Sequence, residues 1–84
     1  MAAFTLGRDE LSQRGRPALA ARWFERSLAL RPPRSLVEDL RARLVEARGR
    51  AGDRAGACAA AREYLAGFPQ GRYADRMREA CEGP

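Results

Sequence analysis

Hydrophobic residues recur along the chain at intervals of three and four, the spacing that places side chains on one face of an α-helix. Proline and glycine interrupt this pattern near residues 15–17, 32–33, 49–53 and 67–71. No stretch alternates between apolar and polar residues over a useful length, so we predict no strand. The interruptions divide the chain into five predicted helices, at residues 2–14, 17–30, 36–50, 54–66 and 72–82.

Each predicted helix has an apolar face, and these faces together form the predicted core. In the first helix, Leu6 lies off the line of the other apolar residues. Pro17 suits a first helical turn, and Ser35 with Glu38 forms an S-x-x-E capping box. The predicted face residues are Phe4, Gly7 and Leu11; Ala20, Phe24, Ser27 and Leu28, widened by Leu19, Trp23 and Leu30; Leu36, Val37, Leu40, Leu44 and Ala47; Ala57, Ala61, Tyr64, Leu65 and Phe68; and Tyr73, Met77, Ala80 and Cys81. Trp23 and Tyr73 could instead be binding residues, but we favour packing for both.

The chain matches itself when it is shifted by 37 residues, with six identities between residues 15–34 and 52–71. Matches between alanines carry little weight in an alanine-rich chain, whereas the glycine and proline matches are informative. A helical hairpin that recurs at this period is typical of a solenoid. The matched pairs are Gly15 and Gly52, Ala18 and Ala55, Ala20 and Ala57, Leu28 and Leu65, Ala29 and Ala66, and Pro32 and Pro69.

The spacing of Ala20, Phe24 and Pro32 resembles the A-x3-F and later proline of tetratricopeptide repeats. The second copy has Ala57 and Pro69, and the stretch YLAGFPQGRYADRMREAC at residues 64–81 is similar to repeats of bacterial envelope proteins. The resemblance implies an all-α, right-handed stack of helical hairpins, with two hairpins and one terminal helix. The single domain would span residues 1–84, with repeat one at about 2–34, repeat two at about 35–71 and the terminal helix at about 72–82.

The resemblance also implies a function. Tetratricopeptide proteins are non-catalytic scaffolds for protein–protein interaction, and this one would belong to a larger bacterial assembly or regulatory protein. The first helix of each hairpin usually lines a groove that binds a protein or peptide partner. The residues implied to line this groove include several acids. The groove would therefore suit a basic or mixed peptide segment better than the terminal carboxylate of a peptide, which some family members bind. The implied groove residues are Thr5, Asp9, Ser12, Asp39, Glu46 and Arg50.

The chain has a net charge of +5, and all 16 basic residues are arginine. Arginine, alanine, glycine and proline have GC-rich codons, so the genome of a high-GC bacterium explains this bias without selection for arginine chemistry. The alternative function is that of a small, arginine-rich, helical nucleic-acid-binding protein. Carboxylates dilute the arginines in the third helix, which disfavours a recognition helix.

The composition offers few residues that could act in catalysis or bind a cofactor. With no histidine and two cysteines, a zinc site and a Ser-His-Asp or Cys-His mechanism are not expected. No phosphate-binding glycine motif occurs, so we predict no enzyme and no cofactor. No apolar run approaches the ~20 residues of a membrane helix, so we expect no membrane insertion. Arg8, Asp9 and Glu10 interrupt any secretory signal, which favours the cytoplasm, or the periplasm or envelope if the chain belongs to a longer protein.

Two and a half repeats fall short of the roughly three that a solenoid normally needs. Phe4, Leu6, Leu11 and Trp23 suggest an apolar patch at the N-terminal end. We expect a second copy or an upstream portion to cover it, the alternative being a marginal monomer.

Cys58 and Cys81 are predicted to lie close together, since they flank the turn near residues 69–71 symmetrically and both fall on apolar sides. Their Cα atoms should then lie within the roughly 7 Å that a disulfide requires. Two small buried thiols are slightly favoured in a reducing cytoplasm, and a disulfide in an envelope compartment.

Overall fold

The computed structural model describes residues 16–82, which form four α-helices and contain no strand. The all-helical prediction is confirmed for these residues. The predicted first helix, with Phe4, Leu6 and Leu11, lies outside them. The helices are α1 (Pro17–Ala29), α2 (Arg34–Arg50), α3 (Arg54–Gly67) and α4 (Ala74–Glu79).

Helices that follow one another in the sequence pack together, and α2 is the central one, with α1 and α3 against it. The α2–α3 pair is antiparallel. Arg41 bonds Glu63 far from the turn that joins the two helices, and Arg48 bonds the carbonyl of Gly56 close to it. Since two helices cover α2, the single apolar stripe predicted for it was too narrow. Its buried residues are Leu40, Ala42, Leu44, Val45 and Ala47.

The core combines many alanines with a few large side chains. Phe24, Leu40 and Tyr64 are the largest fully buried residues. Alanine lets helix backbones approach closely, and full burial of one large apolar side chain contributes about 1.5–3 kcal/mol. The core alanines are Ala20, Ala21, Ala42, Ala47, Ala57, Ala60, Ala61 and Ala74.

The 37-residue period appears in the helices themselves. Pro17 begins α1 and Arg54 begins α3, and the two positions are 37 residues apart. Ala20 and Ala57 are both buried at equivalent positions. Phe24 has its equivalent in Ala61, and both are fully buried, so a large residue in one helix corresponds to a small one in the other.

Helix α1 ends at Ala29, ahead of the two prolines that cannot continue it. Arg31 takes up a left-handed conformation with φ 55°, and Leu30 is 74% exposed. The prediction that Leu30 widens the apolar face of α1 is therefore wrong. Trp23 is half-buried, with the Arg26 guanidinium 5.1 Å from the centroid of its ring.

The predicted capping box is also wrong. Helix α2 begins at Arg34, and the carbonyl of Pro33 accepts hydrogen bonds from the amides of Leu36 and Val37, with no side-chain cap. The Glu38 side chain instead accepts hydrogen bonds from residues outside α2, as described below.

The turn between α2 and α3 provides hydrogen-bond partners for the end of α2 and the start of α3. The amides of Gly52 and Asp53 donate to the carbonyls of Gly49 and Arg48, which is the Schellman pattern, and Gly52 supplies the left-handed φ of 83°. The Asp53 side chain then accepts from the amide of Gly56 at 2.9 Å and caps α3.

We expect Asp53→Ala to lower the free energy of unfolding by about 1 kcal/mol, because it leaves the Gly56 amide in the first turn of α3 without its side-chain acceptor. Ser35→Ala is the matched control and should leave stability nearly unchanged, since Ser35 does not cap α2. Urea denaturation measures both. An equal loss in the two variants would contradict this assignment of the caps.

Candidate functional site

The position of α4 depends on the carboxylate of Glu38, which lies on α2. The Tyr64 hydroxyl of α3 donates to Glu38 Oε2 at 2.7 Å, and the amide of Arg72 donates to the same oxygen at 3.0 Å. The Tyr64 oxygen in turn accepts from the amide of Tyr73 at 3.0 Å. The two amides just before α4 are thus bonded to side chains of other helices. The prediction of a helix over 72–82 is corrected to Ala74–Glu79.

These bonds shift the pKa values of both side chains. The hydrogen bond from Tyr64 lowers the pKa of Glu38 against an opposing effect of burial, and the amide and charge of Arg72 and the charge of Arg34 lower it further. Burial raises the pKa of Tyr64, and its bond to the Glu38 carboxylate adds to the rise. Both shifts favour the form in which Tyr64 keeps its proton and Glu38 carries the negative charge.

A second pair of bonds joins α2 to the residue that precedes α4. The Tyr73 hydroxyl donates to Asp39 Oδ1 at 3.2 Å, and Arg43 Nε donates to Asp39 Oδ2 at 3.3 Å. Glu38 and Asp39 thus fix the start of α4 from adjacent positions of α2.

Between α2 and α4 lies a cleft of about 250 Å³, which we call the α2–α4 cleft. Its apolar residues are Ala42, Val45 and Met77, all buried. Its polar residues are Asp39, Arg43, Glu46, Tyr73 and Arg76.

The residues implied as a groove by the sequence are brought together only in part. Asp39 and Glu46 line the α2–α4 cleft. Arg50, the last residue of α2, pairs with Glu46 at 3.4 Å but does not line the cleft. Thr5, Asp9 and Ser12 lie outside the described residues.

Sequence reasoning missed several residues of the cleft. Arg43 could have been found, because it lies four residues after Asp39 and three before Glu46 on the same helix face. Arg76 could not, since it enters the cleft only through the contact between two separate helices. Tyr73, a possible binding residue for which the sequence favours packing, lines the cleft as well.

A wider and more open depression of about 560 Å³ lies beside Phe68. The Arg34 guanidinium is 4.4 Å from the centroid of the Phe68 ring and donates to the carbonyl of Gly67. Because this arginine already occupies the aromatic surface, we regard the α2–α4 cleft as the better candidate site.

Cys58 and Cys81 form a disulfide that joins α3 to the residues just after α4, with the Cα atoms 4.7 Å apart. The slightly favoured interpretation of two buried thiols does not match this structure, in which Cys58 is half-buried and Cys81 is exposed. Helix α4 ends at Glu79, so Cys81 lies in the following turn rather than on the apolar face of a longer helix.

Comparison with known protein families, curated proteins and solved structures finds no match to this chain. Within residues 16–82, the longest helix has 17 residues, and none has the length and hydrophobicity needed to cross a membrane. The same residues contain no group of three or more acidic or cysteine side chains that could hold a metal ion.

We expect Gly71→Ala to lower the free energy of unfolding by about 1–3 kcal/mol, the usual effect of overpacking. An added Cβ would meet Tyr64 Oη and Glu38 Oε2, and would lie 2.9 Å from the Cβ of Phe68. Gly49→Ala is the control: its Cβ meets no atom within 4 Å, and it should stabilise helix α2 by up to about 1 kcal/mol. A neutral Gly71→Ala in urea denaturation would mean that the space around Glu38 is not tightly packed.

The lowered pKa of Glu38 makes a prediction about acid stability. A carboxyl group whose pKa is depressed by folding contributes stability above its unfolded value of about 4.3, and this is lost as the pH falls through the folded value. Glu38→Gln should therefore be less stable than wild type at neutral pH and lose less stability on acidification. Unfolding measured by circular dichroism at a series of pH values tests this, with Glu79→Gln as the exposed control. An unchanged acid dependence in Glu38→Gln would contradict the role given to this carboxylate.

Proposed function

We propose that the chain is a non-catalytic scaffold for protein–protein interaction, of the tetratricopeptide type, and that a partner segment binds in the α2–α4 cleft. The observation that carries this proposal is the place of the cleft in the helix order. Under the 37-residue repeat, α2 and α4 are the first helices of consecutive hairpins. In tetratricopeptide proteins these helices line the concave, partner-binding side.

The arrangement of the helices supports this proposal. Helices α1 and α3 start 37 residues apart, and small residues occupy their equivalent buried positions at Ala20 and Ala57. Together with the helix that the sequence predicts at residues 2–14, which lie outside the described residues, the proposed arrangement is a right-handed stack of five helices.

The charges in the α2–α4 cleft suggest the chemistry of the partner. Asp39 is bonded to Arg43 and Tyr73, and Glu46 is paired with Arg50, so neither acid has an uncompensated charge to offer a basic partner. Arg76 is exposed, and none of the ion pairs within residues 16–82 includes it. An apolar floor beside an uncompensated cation suits a peptide segment that carries a large apolar side chain next to a carboxylate. We therefore replace the basic or mixed segment expected from the sequence with an acidic, apolar one.

Selection from a random peptide display library tests the proposal without knowledge of the natural partner. Wild type should enrich peptides in which Asp or Glu lies next to a large apolar residue. Arg76→Glu should shift the enrichment to Lys or Arg, because it reverses the uncompensated charge. Arg62→Glu is the matched control, since Arg62 is an exposed arginine of α3 that does not line the cleft.

Failure to enrich any peptide would contradict binding in the cleft. Enrichment that is the same for wild type and Arg76→Glu would contradict the role of Arg76. A change caused equally by Arg62→Glu would mean that net charge, not the cleft, governs selection.

Nucleic-acid binding, the alternative considered from the sequence, has weaker support. Salt bridges to carboxylates engage several of the described arginines, which reduces the charge they can offer to phosphate groups. These arginines are Arg41, Arg43, Arg48, Arg50 and Arg78. Binding of single-stranded or duplex DNA at about 50 mM salt that weakens steeply with added salt would revive this alternative.

A further inference from the structure

Helix α4 is attached to the rest of the molecule at both of its ends. Its start is fixed by the amides of Arg72 and Tyr73, which donate to the side chains of Glu38 and Tyr64. Its far end is fixed by the disulfide from Cys81 to Cys58 on α3. The residues that α4 contributes to the cleft, Arg76 and Met77, lie between these two attachments.

The two attachments differ in kind. The first is a set of hydrogen bonds around a buried tyrosine, and it does not depend on the redox state of the surroundings. The second is a covalent bond that a reductant can break. Cys81 is exposed and Cys58 only half-buried, so the bond lies where a thiol from solution can reach it.

Apart from the disulfide, the end of α4 is held by a hydrogen bond from the Arg78 guanidinium to the carbonyl of Pro69 at 2.8 Å. The helix has six residues, and its buried side chains are Ala74 and Met77. A helix of this length is not stable by itself in water. Past Met77, Ala80 is half-buried and both Cys81 and Glu82 are exposed, so beside this exposed hydrogen bond the disulfide is the covalent constraint on the last turn.

We propose that the Cys58–Cys81 disulfide is a redox switch for the α2–α4 cleft: its reduction releases the end of α4 and removes the cleft wall formed by Arg76 and Met77. The consequence for partner binding rests on the function proposed above, whereas the release of the helix does not.

A dithiol can carry out the reduction with a balanced exchange. A thiolate of the dithiol attacks Sγ of Cys81, forms a mixed disulfide with it, and Cys58 leaves as a thiolate. The second thiol of the reductant then displaces Cys81, so that the reductant becomes a cyclic disulfide. The reductant supplies two electrons and two protons, and both cysteines end as thiols.

Amide hydrogen exchange on the full chain, with and without dithiothreitol, tests the release of the helix. The amides of Met77 and Ala80 donate to the carbonyls of Tyr73 and Arg76, along α4 and the residue that flanks it on each side. We expect them to exchange about tenfold faster or more after reduction, while α2 amides such as that of Leu44 keep their protection. The amides of Arg72 and Tyr73 should change little, because their acceptors remain in place.

The double variant Cys58→Ser/Cys81→Ser is the matched control for the reagent. It should exchange like the reduced wild type and should not respond to dithiothreitol. Unchanged protection in α4 after reduction would overturn the proposal. An equal acceleration in all helices, or global unfolding of the double variant, would also overturn it, because the disulfide would then stabilise the whole fold rather than one helix.

Peptides selected by the oxidised chain test the second step. They should bind about tenfold more weakly or worse after reduction, a difference of about 1.4 kcal/mol. Equal binding with faster exchange in α4 would overturn control of the cleft. If no peptide is selected at all, the proposed function fails, and the exchange measurement still decides whether reduction releases α4.

Discussion

The carboxylate of Glu38 joins three helices at one point. It lies on α2, accepts from the hydroxyl of Tyr64 on α3, and accepts from the amide of Arg72 just before α4. A buried tyrosine hydroxyl is costly without partners, and here it both donates to Glu38 and accepts from the amide of Tyr73. The space around this network excludes a side chain at position 71. The turn before α4, and with it the second side of the α2–α4 cleft, depends on this charged acceptor.

The composition of the core explains why such specific contacts matter. Many of the buried residues are alanines, which allow close helix contact but remove little apolar surface from water. A domain of this size buries a smaller share of its surface than a larger one and often relies on covalent or polar staples. The Glu38–Tyr64 network and the Cys58–Cys81 disulfide both act on α4, the shortest helix and the one with the fewest buried side chains.

In the α2–α4 cleft, ion pairs within one helix change which charges are left uncompensated. Asp39 and Glu46 give the groove an acidic character in the sequence, but both have arginine partners within one turn of the same helix. Such pairs stabilise a helix slightly and cancel at longer range. In the proposed binding mode, the charge offered to a partner is therefore that of Arg76, an exposed residue for which periodicity gives no special role.

The sequence by itself determined the helical class, the breaks at proline and glycine, and core positions such as Phe24, Leu40 and Tyr64, because these follow from local periodicity. It also placed Cys58 near Cys81, since two residues equally far from a turn meet in an antiparallel hairpin. The tertiary structure alone decided what Glu38 binds, because a local capping pattern competes with donors more than twenty residues away in sequence. It also decided the second buried stripe of α2, the early end of α4 and the residues of the cleft. Each of these features depends on contact between two helices. The sequence of one helix does not determine which residues of another helix it will contact.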